Sequence, residues 1–175
     1  MEENKESLLK KSMHYGLLMG GYWTIKYIFL ILSDQVPFMA SIYSGMTFAV
    51  PFVLYYLMKN FKQETNEEVG FFKFWRLGIL IFFFASLIAS PIHYINYQYI
   101  VSPDFFEALK NSALDAVNIL AERYPEIDTT QAENFMSYTP IQLTMIDILG
   151  NTAGGIFISL PVAALMKYIK PKTIN

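Results

Sequence analysis

Apolar residues gather into four long runs, 13–33, 37–58, 75–97 and 141–166, and charged residues fall almost wholly between them. At 1.5 Å per residue each run is long enough, as a helix, to cross a hydrocarbon core of about 30 Å. The predicted fold is therefore an all-α membrane protein: a four-transmembrane-helix bundle forming a single membrane domain over residues 1–175. The fourth run is the longest, which predicts a tilted helix or one projecting beyond the bilayer. Lys10 and Lys11 before the first run resemble the start of a signal peptide. The length of that run, its internal Lys26 and the lack of a small-x-small cleavage pattern instead predict a retained span.

The pattern changes between the third and fourth runs, over about 102–138. Ser102, Pro103 and Asp104 form a helix-start signal: a capping hydroxyl, a proline at the first helical position and an acid at the positive helix end. Phe106, Leu109, Ala113, Val117, Leu120 and Tyr124 then recur at spacings of three and four, while Glu107, Lys110, Asn111, Asp115, Asn118 and Glu122 take the opposite face. The segment thus predicts an amphipathic helical cap. Thr130 and Glu133 have capping-box spacing and predict a second short helix, with the option of running on into the fourth span through Pro140.

Composition agrees with a membrane protein. The chain is 54% hydrophobic and 16% charged, where soluble domains carry about 25% charge. The lipid bilayer is then its first partner. No cysteine is present, which excludes disulfides, thiolate metal sites and acylated cysteine. A pI near 5.7 and a net charge of -2 argue against a nucleic-acid partner.

Charge distribution sets an expected orientation. Lys5, Lys10 and Lys11 precede span one, Lys59, Lys62, Lys73 and Arg76 lie between or at the edges of spans two and three, and Lys167, Lys170 and Lys172 follow span four. Only Lys110 and Arg123 fall on the other side. The positive-inside rule therefore predicts cytoplasmic termini, a tight external turn around Asp34 and a long external segment after span three. Tyr94, Tyr97 and Tyr99 fit an outer aromatic belt. The external segment carries Asp104, Glu107, Asp115, Glu122, Glu126, Asp128 and Glu133 against those two bases, so anionic lipid would not attract it. It reads either as a lid packed on the outer mouth of the bundle or as a docking surface for a basic extracytoplasmic protein partner.

Small residues at four-residue spacing mark candidate helix packing: Gly16 and Gly20, Ser41, Gly45 and Ala49, Ala85 and Ala89, Gly150 and Gly154. They suit packing within one bundle, and a homo-oligomer stays open because four helices are few for enclosing a pathway. Pro51, Pro91 and Pro161 interrupt three spans and predict kinks, since each leaves the carbonyl four residues earlier without its usual donor.

Lys26 and Asp147 form the candidate intramembrane polar site, with Asn151 one turn from Asp147. Each lies seven residues from the predicted outer end of its span, about 10 Å deep, so pairing would relieve the cost of burying both charges. The pair reads either as a structural tie between spans one and four or as a carboxylate exchanging a proton or cation with substrate. Catalytic chemistry finds no foothold. Asp147 has no second intramembrane aspartate, and the serine elbow, phosphate loop and His-Glu-x-x-His motifs are missing. His14 and His93 fall near opposite interfaces and do not suit a shared metal. No cofactor, metal site or catalytic residue is therefore expected.

The run Glu68, Val69, Gly70, Phe71, Phe72, Lys73, Phe74, Trp75, Arg76, Leu77, Gly78, followed by the apolar span and then Tyr97, Tyr99, Ile100, Pro103, Asp104 and Phe105, resembles the uncharacterised bacterial four-span proteins grouped as domain of unknown function 4199. The motif covers the central third of the chain, and the layout covers nearly all of it. The resemblance implies four membrane helices and no assigned activity, and neither Lys26 nor Asp147 belongs to the motif. Physically, the aromatic residues would anchor the inner interface beside Lys73 and Arg76, and Gly70 would permit the turn into it.

The combined expectation is a non-enzymatic protein of the bacterial cytoplasmic (inner) membrane, a structural or interaction component of the envelope. The alternative is a small oligomeric transporter or channel-like subunit using Asp147 and Lys26.

Overall fold

A computed structural model describes residues 2–65, 69–101, 103–124 and 138–166. Among these residues the chain is helical and contains no strand. The helices are α1 (Glu2–Leu32), α2 (Phe38–Glu64), α3 (Phe71–Ile95), α4 (Pro103–Arg123) and α5 (Pro140–Met166), with a π-helical turn, Asn96–Ile100, extending α3. Among the described residues four stretches are long and apolar enough to cross a membrane: Leu8–Leu32, Phe38–Glu64, Phe71–Ile100 and Pro140–Met166. The chain is thus an all-helical, multi-pass membrane protein.

Several helix ends pass beyond the apolar runs. α1 begins at Glu2 rather than near Met13, α2 continues past Met58 to Glu64, and α3 starts at Phe71 rather than Trp75. The apolar run marks what hydrocarbon requires. Lysine, glutamine and glutamate, which flank it, are good helix formers and carry the backbone ladder into the polar zone. α1 and α2 are joined by a tight turn around Asp34, closed by Val36 N–H donating to the Leu32 carbonyl at 2.9 Å. Glycine is not demanded at the entry to α3: Gly70 lacks a positive φ, and no described atom lies within 4 Å of where its Cβ would stand.

The chain divides into two compact units. The first comprises Met1–Ile92 and Ile146–Asn175. Its core takes one stripe from each helix: Leu8, Tyr15, Met19 and Trp23 from α1, Val50, Leu54, Leu57, Met58 and Phe61 from α2, Phe74, Leu77, Ile81, Phe82, Ala85 and Ala89 from α3, and Val162, Ala163 and Met166 from α5. Spacings of three and four produce each stripe. Gly16 and Gly20 bring α1 against Phe84, Ala85 and Ile88 of α3. Gly78 of α3 lies against Ser159 and Met58, and Gly155 of α5 lies against Phe82. Gly45, Gly150 and Gly154 have no described neighbour within 4 Å of a Cβ position, so they mediate no close approach within the described chain.

Prolines sit inside α2, α3 and α5 at Pro51, Pro91 and Pro161, and each helix continues through its proline. At Pro91 the compensation is visible: the Ser90 hydroxyl donates at 2.8 Å to the Leu87 carbonyl, which Pro91 cannot reach with an N–H. Ser90→Ala is therefore expected to cost about 1 kcal/mol, read as a lower midpoint for loss of helical circular dichroism in detergent. An unchanged midpoint would show that this carbonyl finds another donor.

The second unit comprises His93–Met145. The end of α3 widens there, with Val101 N–H donating to the Asn96 carbonyl at 2.9 Å. α4 starts at Pro103, where the helix-start signal puts it. α5 starts afresh at Pro140 and does not continue an earlier helix. Gln142 Oε1 accepts the Thr139 backbone N–H at 2.8 Å and its hydroxyl at 2.9 Å, giving a cap of the kind in which the third helical residue reaches back. The expected short helix at Thr130 lies outside the described residues.

Candidate functional site

The buried stripe of α1 runs Leu8, Ser12, Tyr15, Met19 and Trp23, and Lys26 is its next position. That register turns the one lysine of the apolar stretch partly inward, where it is half-buried. Its ammonium lies 5.7 Å from the centroid of the Trp23 ring and 5.2 Å from that of Tyr43 on α2. Aromatic faces carry negative potential and hold a cation in place. The two helices are joined at this level because the Tyr22 hydroxyl donates to the Met46 carbonyl at 2.6 Å. Beneath the lysine, the Trp23 ring meets Phe82 edge-on at 5.2 Å. The indole N–H of Trp23 is buried and has no acceptor among the described residues.

Asp147 and Asn151 are half-buried on α5, one helical turn apart. They flank the face that continues through Gly155, Ser159 and Val162 into the core. The structure therefore brings Lys26 together with Trp23 and Tyr43, and places Asp147 and Asn151 at the edge of the packed face of α5.

A second polar constellation lies at the other end of the helices. Lys62, read from the sequence only as one of the charges between spans two and three that set the orientation, is buried, at 8% exposure. Its ammonium donates at 2.7 Å to the Met166 carbonyl, the last of α5, and lies 5.8 Å from the Phe74 ring centroid. A cation is well placed there, because hydrogen bonds donated by an ionised group are stronger than those between neutral groups. Trp75 ties α3 to α5 as well, its indole N–H donating to the Ile156 carbonyl at 3.0 Å. Lys11 and Glu64 form an ion pair linking α1 with α2. Both are well exposed, so that pair contributes about 0–1 kcal/mol.

On α4, Asp115, Asn118 and Glu122 are exposed, as the helical periodicity requires. Of the apolar positions, Val117 is half-buried, but Leu120 and Tyr124 are exposed, together with Ile119. Among the described residues no group of three or more histidine, aspartate or glutamate side chains has the arrangement to hold a metal ion.

The family model described as "Protein of unknown function (DUF4199)" matches residues 14–168, from within α1 through the end of α5. The chain belongs to the DUF4199 family. No curated protein and no solved structure matches it.

Three contacts in this DUF4199 chain escaped the sequence. Gly155, Ser159 and Ala163 form a longer small-residue stripe than Gly150 and Gly154, and three consecutive positions rather than two would have favoured it. Gly78 lies one residue from Leu77 on the buried stripe of α3, a signal that was available. Nothing local distinguishes Lys62 from Lys59, because its acceptor is 104 residues away.

Proposed function

We propose that the protein is a non-enzymatic component of the cytoplasmic membrane, with both ends of the chain on the cytoplasmic side, and that α4 is an external docking surface for a basic extracytoplasmic protein. Exposed Ile119, on the same helix face as the exposed acids Asp115 four residues before it and Glu122 three residues after it, carries this reading. Apolar contact supplies affinity, while the carboxylates select a basic partner and would repel anionic lipid. The concentration of lysine and arginine before α1, around the α2–α3 connection and after α5 supports the orientation.

A natural absence of cysteine makes the orientation measurable. Cysteine in place of Asp115 is expected to react in intact cells with a membrane-impermeant thiol reagent. Cysteine in place of Gln63, exposed near the end of α2, should react only after lysis. The reverse pattern would invert the topology and remove the external docking surface with it. A photocrosslinker at position 119 then tests docking: a specific adduct should disappear when Asp115 and Glu122 are changed to lysine. An adduct indifferent to those changes would rule out charge-selected docking.

A further inference from the structure

We propose that the surface of α1 and α2 at Lys26 binds the phosphate of an anionic phospholipid. Lys26 is six residues before the end of α1 at Leu32, about 9 Å along the helix. A cation there needs a counter-charge or a route to the interface. The rings of Trp23 and Tyr43 stabilise its charge without accepting strong hydrogen bonds from its three N–H groups. The adjacent Trp23 indole supplies another donor with no acceptor among the described residues, an arrangement that calls for an explanation.

Two neighbouring donors and one positive charge fit a phosphate, which offers one oxygen to the ammonium and another to the indole. The indole nitrogen is covered, so its donation accompanies a shift of the side chains over it. The surroundings favour a lipid as the source of that phosphate. Ile25 and Ile28, next to Lys26 along α1, are exposed and apolar and give an acyl chain a surface to follow. The Tyr22 to Met46 hydrogen bond ties the two helices together at this level, so little ordering is left for the ligand to impose.

The experiment is native mass spectrometry of the full chain released from mixed micelles containing phosphatidylglycerol or phosphatidylcholine. Phosphatidylglycerol should be retained at least tenfold more strongly. Lys26→Gln should remove that preference and Lys26→Arg should keep it. Trp23→Phe, which retains a ring face but deletes the N–H, should weaken retention severalfold. It also keeps the proposal testable if Lys26→Gln fails to fold by circular dichroism. Inorganic phosphate provides the other arm. If it displaces phosphatidylglycerol at millimolar concentration, the site recognises a soluble phosphate and the lipid assignment is overturned. Equal retention of the two lipids, or a preference that survives in folded Lys26→Gln, overturns the proposal. So does a wild type without preference that gains one in Asp147→Asn, because Lys26 would then be answered by Asp147.

Discussion

Valine at position 78 is expected to lower the stability of the helical bundle by about 1–3 kcal/mol, the usual range for overpacking a filled interior. A Cβ on Gly78 would overlap the Ser159 side chain and the tip of Met58. Met58 is flexible and can withdraw. Ser159 cannot easily do so, being fully buried with its hydroxyl donating at 2.5 Å to the Gly155 carbonyl. α3 and α5 must therefore separate. Gly155→Val should act in the same direction through Phe82, whereas Gly45→Val and Gly154→Val should stay within about 0.5 kcal/mol of wild type. The midpoint for loss of helical circular dichroism on heating in detergent ranks the four. A Gly78 variant melting with the Gly45 variant would show that α3 and α5 do not approach closely at this point.

Lys62→Met should destabilise by about 1.5–3 kcal/mol, the range for a hydrogen bond to a charged group. Methionine keeps much of the alkyl length, so the loss reports on the ammonium, which meets both the Met166 carbonyl and the face of the Phe74 ring. Lys59→Met is the matched control, since Lys59 is a half-buried lysine one turn away. The two lysines count alike toward orientation by charge. Thiol labelling should therefore report the same topology in both variants while their melting midpoints differ. Equal midpoints would reduce Lys62 to one more charge of the α2–α3 connection.

How far the sequence could be read follows from which interactions are local. The four apolar helices, the start of α4 at Pro103 and the turn at Asp34 were legible because periodicity, capping residues and proline act within a few positions. The choice between two small-residue stripes on α5 was not legible. Gly150 with Gly154 and Gly155 with Ser159 lie on adjacent faces, and only the position of Phe82 decides between them. Lys26 was recognisable as an unusual charge from its surroundings in the chain. The aromatic faces beside it were not, because Tyr43 belongs to another helix. Sequence spacing placed Lys26 and Asp147 at matched depth, which is a statement about height in the membrane. Which neighbours surround a residue at that height depends on the rotation of each helix, and small differences in stripe register set that rotation.

The seat of α5 also has an order in time. Lys62, Trp75, Gly78 and Phe82, which receive its carbonyls and its small-residue face, all lie upstream of position 90. A ribosome has therefore finished the receiving surface well before the last span emerges, with more than 50 residues of connecting chain still to be made. Until α5 arrives, the Lys62 ammonium on α2 and the Trp75 indole on α3 are without their α5 acceptors, and a chain that stops before Pro140 leaves them so.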